Sequence, residues 1–587
     1  MFCVEGEQEK THISSCRDQP APIAVFAYNR PRHLFRTLES LRKNKLASDS
    51  DLYLFCDAER SPQDQPSVRK VRELSEHIYG FRQVFQVFRE RNYGLADNIT
   101  EGIRYVLERS DRVIVLEDDM LTSEAFLSYM NQALSHYEAD EQVASIHGYI
   151  YPHQEPLPQS FFLRGADCWG WATWRRAWKH FNPDGRCLLE KIRERGLEAD
   201  FDFGGTYPYT DMLEGWVHGK NNSWAIRWYA SAFLKDMLTL YPGKSLVRNI
   251  GLDGSGSHCD ATTSLDVSVH SGRIELQKIS VEEDTASRQC VERSLHQSRS
   301  LLRRLWARSV DRFSGFSWRP MLRSLLPPFV PMFYRRYTGR HYGCLGDFAS
   351  WEEAEKLAGG YHADSILEDV YRAALRVRDQ ELVYERDGVL FDEIQYSWPL
   401  LSGILLAAYG KPDLSVIDFG GSLGTTYYQN LKFLEKIHLK RWNIVEQENF
   451  VRLGQKEFSD TVLHFYPGIK ESQQDHKSDL LIFSSVLQYL PDYQGFLSSV
   501  LTENSFDYIL VDRTPFSHED RDIITVQKVR PEIYRASYVC RLLSETELLL
   551  HMQLHGYRCL ERFSSLARTE RYREQGFIFE NEKRQNI

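Results

Sequence analysis

No apolar run in this chain approaches the roughly 18 residues that a membrane-spanning helix needs. The ten cysteines contain no Cys-x-x-Cys pair and no His/Cys ligand spacing, which argues against a zinc site and against a disulfide framework. Residues Met1 to Pro22 are polar and acidic, with no signal-peptide core. A reduced, cytoplasmic compartment is therefore expected. A Walker loop and a Gly-x-Gly-x-x-Gly turn are both missing, so little points to ATP or NAD. The net charge of -10 argues against a general nucleic-acid binder. At 587 residues the chain exceeds one hydrophobic core, and two or three domains are expected.

What is present in the first half is a strand–helix alternation. The apolar run Ala21 to Tyr28 predicts a strand, Asn29-Arg30-Pro31 a turn, and Leu34, Leu38 and Leu41 the buried face of a helix. Asp51 to Asp57 and Val84 to Phe88 predict two more strands, with a helix between them over Ser67 to His77. Arg91-Asn92-Tyr93-Gly94 leads into a helix, and Arg112 to Leu116 predicts a buried strand ending in Glu117-Asp118-Asp119. Such alternation implies a parallel α/β sheet. Acids collected at strand ends lie at the carboxyl edge, where open α/β sheets bind ligands. Carboxylates so crowded repel one another unless a cation holds them, and a hard divalent ion, Mn²⁺ or Mg²⁺, suits oxygen ligands and a diphosphate. A solvated acidic turn is the plainer alternative.

The Tyr-Asn-Arg-Pro turn, the strand ending in Asp57, Arg91-Asn92-Tyr93-Gly94 and Val115-Leu116-Glu117-Asp118-Asp119 together resemble a GT-A glycosyltransferase over roughly residues 21 to 260. The nearest family comprises bacterial sugar transferases distantly similar to the animal N-acetylglucosaminyltransferase that starts complex N-glycans. The resemblance implies a nucleotide-sugar donor, with Asp119 as direct metal ligand and Glu117 and Asp118 as sugar or nearby contacts. By the same resemblance Arg30, Asp57 and Arg91 contact the nucleotide. His258, ending the loop Asn249 to His258, either completes the metal site or is structural. The tryptophans of Gly165 to Trp174 and Asn222 to Trp228 either stack on sugar or pack the core. Inverting transfer needs a carboxylate base; Asp211, Glu214 and Asp253 are candidates, and the family's base position holds Asn221 or Asn222 here.

The pattern weakens after Thr262, which sets a first domain at 21–265 and a connector at 266–345. Within it, Leu301 to His341 carries nine arginines against the single acid Asp311, interleaved with aromatics. That composition suits either peripheral contact with an anionic membrane, where a lipid-linked glycan acceptor would sit, or a strap between domains.

Residues 346–587 predict a second α/β domain. Ser415 to Phe419 is a buried strand that runs into Gly420-Gly421-Ser422-Leu423-Gly424 and a helix start. Trp442 to Glu446 is another apolar strand closing on an acid suited to a ribose diol. Ser478 to Leu490 and Phe506 to Arg513 predict two more strands. This order resembles the Rossmann-like class I S-adenosylmethionine-dependent methyltransferases, most closely a bacterial group found in surface-polysaccharide contexts. The resemblance implies that Asp418, Gly420, Gly421, Gly424 and Glu446 bind S-adenosylmethionine. Asp512, His518 or Glu393 could serve as base. The expected function is thus bifunctional: metal-dependent glycosyl transfer and methylation of a saccharide in surface-polysaccharide assembly. The alternatives are a glycosyltransferase carrying an inactive methyltransferase-like binding module, and an NAD-linked sugar-modifying enzyme.

Overall fold

The computed structural model describes residues 19–296 and 343–586, apart from 154, 253–264, 273, 359–362, 380–383, 387–388, 392–393, 395, 529–535 and 569–570. The chain divides into two compact units, Met1–Ser317 and Trp318–Ile587. Among the described residues no helix is long and apolar enough to cross a membrane.

The first unit opens with β1 (Ile23–Ala27), α1 (Pro31–Arg42), β2 (Asp51–Cys56), α2 (Gln65–Glu76), β3 (Gln83–Phe88), α3 (Leu95–Leu107) and β4 (Arg112–Glu117). Pro31 occupies the first turn of α1, where its missing N–H costs nothing, and Leu34, Phe35, Leu38 and Leu41 form the buried face. Then follow β5 (Met120–Thr122), α4 (Phe126–His136), β6 (Val143–His147), β7 (Ser160–Leu163), β8 (Trp171–Trp174), α5 (Arg175–Trp178), α6 (Gly185–Glu194), α7 (Glu198–Phe201), α8 (Tyr209–Val217), α9 (Trp224–Phe233), β9 (Leu238–Pro242) and β10 (Val247–Asn249).

Eight strands make one sheet in the order β3-β2-β1-β4-β8-β6-β9-β7, and β5 pairs with β10 apart from it. The first four are parallel, as the alternation implies, but β8 runs antiparallel between β4 and β6. Registers Ala27↔Cys56 and Phe26↔Glu117 bring Arg30, Asp57 and the Glu117–Asp119 turn to one edge.

The first unit extends beyond residue 265. Ile274, Leu276, Val291 and Leu295 are buried. Ile279 N donates to Tyr137 Oη at 2.9 Å, Arg164 N to Glu283 Oε1 at 2.9 Å, and Ser294 Oγ to the Pro152 carbonyl at 2.6 Å. The apolar residues in this polar stretch are too sparse to show a period, so the expected boundary falls early. The arginine-rich segment 301–341 lies outside the described residues.

In the second unit β11 (Gly343–Phe348) precedes a hairpin of β12 (Tyr384–Arg386) and β13 (Val389–Phe391). Then come β14 (Leu414–Phe419), β15 (Leu439–Val445), β16 (Leu463–Tyr466), β17 (Leu480–Ser484), β18 (Tyr508–Ser517), β19 (Ile523–Lys528), β20 (Ser537–Leu542), β21 (Tyr557–Arg568) and β22 (Tyr572–Asn581). Seven of them form a sheet in the order β16-β15-β14-β17-β18-β22-β21. Its first five strands are parallel and β22 is antiparallel to both neighbours. Both units are thus mixed α/β folds around large, largely parallel sheets.

Close packing of α3 on the first sheet depends on Gly102. A Cβ there would lie 2.4 Å from the Phe26 ring, itself stacked on Phe55 at 4.9 Å. Gly102→Ala should therefore lower the stability of the first unit by ~1–3 kcal/mol through overpacking, read as a lower urea midpoint. An unchanged midpoint would contradict that packing.

Candidate functional site

At the end of β4 the three carboxylates meet different surroundings. Arg30, just ahead of α1, donates through Nη2 to Asp118 Oδ1 and, at 2.8 Å, to Asp119 Oδ2. Burial works to lower the Arg30 pKa, but the two carboxylates outweigh it and raise it. Burial and the neighbouring acids push Glu117 up to about 8, so at neutral pH it holds its proton. Asp118 rises to about 6, burial outweighing the opposing pull of Arg30. Asp119 Oδ1 is buried and has no hydrogen-bond partner among the described residues. The segment after β10 crosses this carboxylate: Ile250 N donates to the Asp119 carbonyl at 2.9 Å, and a Cβ at Gly251 would lie 2.1 Å from Asp119 Oδ2. Asp253 and His258, farther along that segment, lie outside the described residues. Among the described residues no three His, Cys, Asp or Glu gather as a metal site. Of the described atoms at this turn, the unpartnered Asp119 Oδ1 is one that could hold a cation.

Beside Glu117 opens a cavity of about 230 Å³ lined by His147, Tyr151, Asp167, Trp169 and Tyr209 among others. The register Val115↔Trp171 runs the chain ahead of β8 alongside the chain leaving β4, which brings Asp167 to this edge. Asp167 is held rigidly. Tyr151 Oη donates to its Oδ1 at 2.8 Å and Tyr241 Oη to its Oδ2 at 2.7 Å. Burial lowers His147 to about 4, so its ring is neutral. Asp167 stands in a segment read for its tryptophans. A lone acid between small residues and aromatics was the available signal.

Other expected residues stand elsewhere. Asp57 accepts from Ala58 N and Tyr93 N on Oδ1 (2.9 and 2.8 Å), and from Gly94 N and Asn92 Nδ2 on Oδ2 (2.9 and 3.2 Å). Four donors exhaust a carboxylate's acceptor sites. Asp57 is thus a loop anchor rather than a nucleotide contact. Arg91 is exposed and rests over the Tyr93 ring at 5.6 Å. Asp211 is exposed on α8, and Glu214 pairs with Arg193 at 2.9 Å; neither lines the cavity, so neither is placed as a base there. Trp171, Trp178, Trp224 and Trp228 pack against one another in the core, while Trp169 reaches the cavity.

In the second unit the turn after β14 lies where the sheet order reverses, between β14 and β17. Gly420 has φ +76° and Gly424 φ +105°, and Gly424 caps the helix Thr425–Leu434. A Cβ at Gly421 would lie 2.7 Å from the Asp418 carboxyl. Asp418 is fully enclosed beneath this turn rather than on the open face. Its Oδ2 accepts from Trp442 Nε1 at 3.3 Å, its Oδ1 has no partner among the described residues, and burial pushes it up to about 7. Glu446, just past β15, accepts from Ser422 N at 3.3 Å and Gln447 N at 2.8 Å, and burial raises its pKa. Three non-glycine residues have positive φ: Ser422 and Ser485 just past β14 and β17, and Arg513 at the register shift midway along β18. Such strain tends to concentrate at functional sites, and no sequence pattern announces it. Among the base candidates, Asp512 is buried midway along β18, His518 is exposed, and Glu393 lies outside the described residues.

No family model matches the chain, and no curated protein matches it. Among solved structures, the glycopeptide N-methyltransferase MtfA with S-adenosylmethionine aligns at 13% identity and TM-score 0.24, covering 31% of this chain and 92% of that one. The N-terminal domain of EvdMO1 with bound S-adenosylhomocysteine aligns at 14% identity and TM-score 0.25, covering 36% and 97%. Magnesium protoporphyrin IX methyltransferase from Synechocystis PCC 6803 aligns at 12% identity and TM-score 0.21, covering 46% and 98%. Likenesses this distant carry no functional weight, which rests on the residues themselves.

Two outcomes follow from these placements. Asp57→Ala strips the acceptor from the loop 92–94 and should cost ~2–3 kcal/mol, with faster amide exchange at Tyr93 and Gly94. Asp418 is raised from 3.8 to about 7, so the folded state holds its proton more tightly than the unfolded chain does. Stability of the second unit should fall as pH rises from about 4 to about 7, and Asp418→Asn should flatten that fall in a pH series of thermal melts.

Proposed function

We propose that the chain carries two active sites, one for methyl transfer from S-adenosylmethionine and one for glycosyl transfer from a nucleotide-sugar. The methyl-transfer reading rests on the glycine turn at the switch point of β14 and β17, with Glu446 one strand away. Open α/β sheets bind nucleosides at such a point. The turn is Gly-Gly-Ser-Leu-Gly, and the antiparallel pair β22 and β21 stands where a dinucleotide fold continues in parallel. Both features favour S-adenosylmethionine over NAD. The Gly420–Gly424 backbone would receive the cofactor's amino-acid end and Glu446 its ribose, while Asp418 shapes the turn from below. The bound cofactor supplies an electrophilic methyl group.

The glycosyl-transfer reading rests on Asp119, whose buried Oδ1 lacks a partner beside a cavity holding two carboxylates. Asp119 Oδ1 would hold Mn²⁺ or Mg²⁺, and the ion would supply positive charge to offset that of a departing diphosphate. Glu117 lines the cavity and can hydrogen-bond a sugar hydroxyl. The acceptor is a saccharide, free or lipid-linked, and the order of sheet strands, with β8 antiparallel in an otherwise parallel half, accords with a GT-A fold. Placing both activities on one chain raises the local concentration of an intermediate passed between them in surface-glycan assembly.

A second reading has one observation in its favour. Ser422 occupies a left-handed position in the cofactor turn, and its N–H is already engaged by Glu446. In that case the second unit is a binding module rather than a methyltransferase.

Melting of the full chain separates these readings. A ligand at 100 times its Kd stabilises the folded state by ~2.7 kcal/mol. S-adenosylhomocysteine should raise the melting temperature, and Glu446→Ala should abolish that rise. Nucleoside diphosphates should raise it only with Mn²⁺, and Asp119→Asn should abolish that rise. No shift with S-adenosylhomocysteine would remove the methyl-transfer reading.

A further inference from the structure

We propose that Asp167 is the general base that activates the acceptor hydroxyl, an assignment that rests on the glycosyl-transfer reading of the first unit. Of the carboxylates at this edge, Asp118 is tied to Arg30, Asp119 carries the unpartnered oxygen suited to a cation, and Asp57 is saturated by loop donors. The cavity lining contains two carboxylates, Glu117 and Asp167. They approach from different strands, Glu117 at the end of β4 and Asp167 from the chain entering β8. Both line one cavity of about 230 Å³, a space suited to a single sugar ring.

Asp167 also has the preorganisation a base requires. Each carboxylate oxygen accepts one phenolic O–H, from Tyr151 and Tyr241, so the group cannot rotate away. Half of its acceptor capacity stays open, and the residue is partly exposed where it lines the cavity. Tyr209 Oη lies 3.4 Å from Tyr151 Oη and extends the polar rim. The remaining wall is mostly apolar and includes Tyr149, Trp169, Phe203, Tyr207 and Tyr229, suited to the apolar faces of a pyranose ring.

In the reaction, an Asp167 oxygen takes the proton from the acceptor hydroxyl as the hydroxyl oxygen bonds to the anomeric carbon. The bond from that carbon to the donor phosphate oxygen breaks, and its electron pair leaves on the nucleoside diphosphate. Nothing is oxidised or reduced, and the proton on Asp167 passes to water when the product departs.

The test uses the full chain with Mn²⁺, a panel of UDP- and GDP-sugars, and p-nitrophenyl monosaccharides as acceptors. Asp167→Asn and Asp167→Ala should keep the Mn²⁺-dependent melting shift with the donor while transfer falls by ~10²–10⁴-fold. Azide attacks without losing a proton, so sodium azide should yield glycosyl azide with Asp167→Ala. Retention of most of the transfer by Asp167→Asn would overturn the assignment, as would a loss that azide does not bypass; both leave the transferase reading standing. If the unmodified chain neither binds nor consumes any nucleotide-sugar, the transferase reading itself falls and takes the base with it.

Discussion

Three consecutive carboxylates at the end of a buried strand are an electrostatic problem that the first unit solves with a single guanidinium. Arg30 donates to Asp118 and Asp119 together, and Glu117, left without a cation, keeps its proton. Everything near this edge is arranged around that balance. The β1–α1 turn delivers Arg30, Thr37 of α1 donates to the Asp118 carbonyl at 2.8 Å, and Gly251 lets the later segment lie against Asp119.

The second unit meets a related constraint with backbone rather than charge. Its sheet edge holds two acids, the enclosed Asp418 and the half-buried Glu446, and each is raised by burial. In the turn after β14 a Cβ at Gly420 would strike Val486 and one at Gly421 the Asp418 carboxyl, while Gly424 holds φ +105°. Ser422 and Ser485 past β14 and β17, and Arg513 at the register shift within β18, hold costly conformations that persist only where surrounding structure over-determines them. Arg513 donates to Ser484 Oγ at 2.9 Å and so ties β18 to β17 at this edge.

Much of both folds is legible in the sequence, because fully buried parallel strands are continuous apolar runs. β1, β2, β4, β14, β15 and β17 all read that way, and their ends mark the ligand edge. What cannot be read is long-range pairing. β8 looks like any aromatic strand, and its antiparallel insertion beside β4, which carries Asp167 to the site, depends on contacts far apart in sequence. β22 (Tyr572–Asn581) starts with Tyr-Arg-Glu-Gln, too polar for an apolar-run criterion. Residue type likewise fails to separate roles. Asp57 and Asp167 are both acids near the same edge, yet one is exhausted by its loop and the other opens on the cavity. Trp169, ahead of β8, reaches the cavity while Trp171, Trp178, Trp224 and Trp228 pack the core, a division that neighbouring residues alone do not fix.

Two separate ligand sites on one chain are the central claim, and amide hydrogen exchange on the full chain with each ligand in turn tests it most directly. S-adenosylhomocysteine should protect residues 418–424 and 446–448 and leave 117–122 unchanged. UDP with Mn²⁺ should protect 117–122 and leave 418–424 unchanged. Protection of neither segment, or of the same segment by both ligands, would contradict the account.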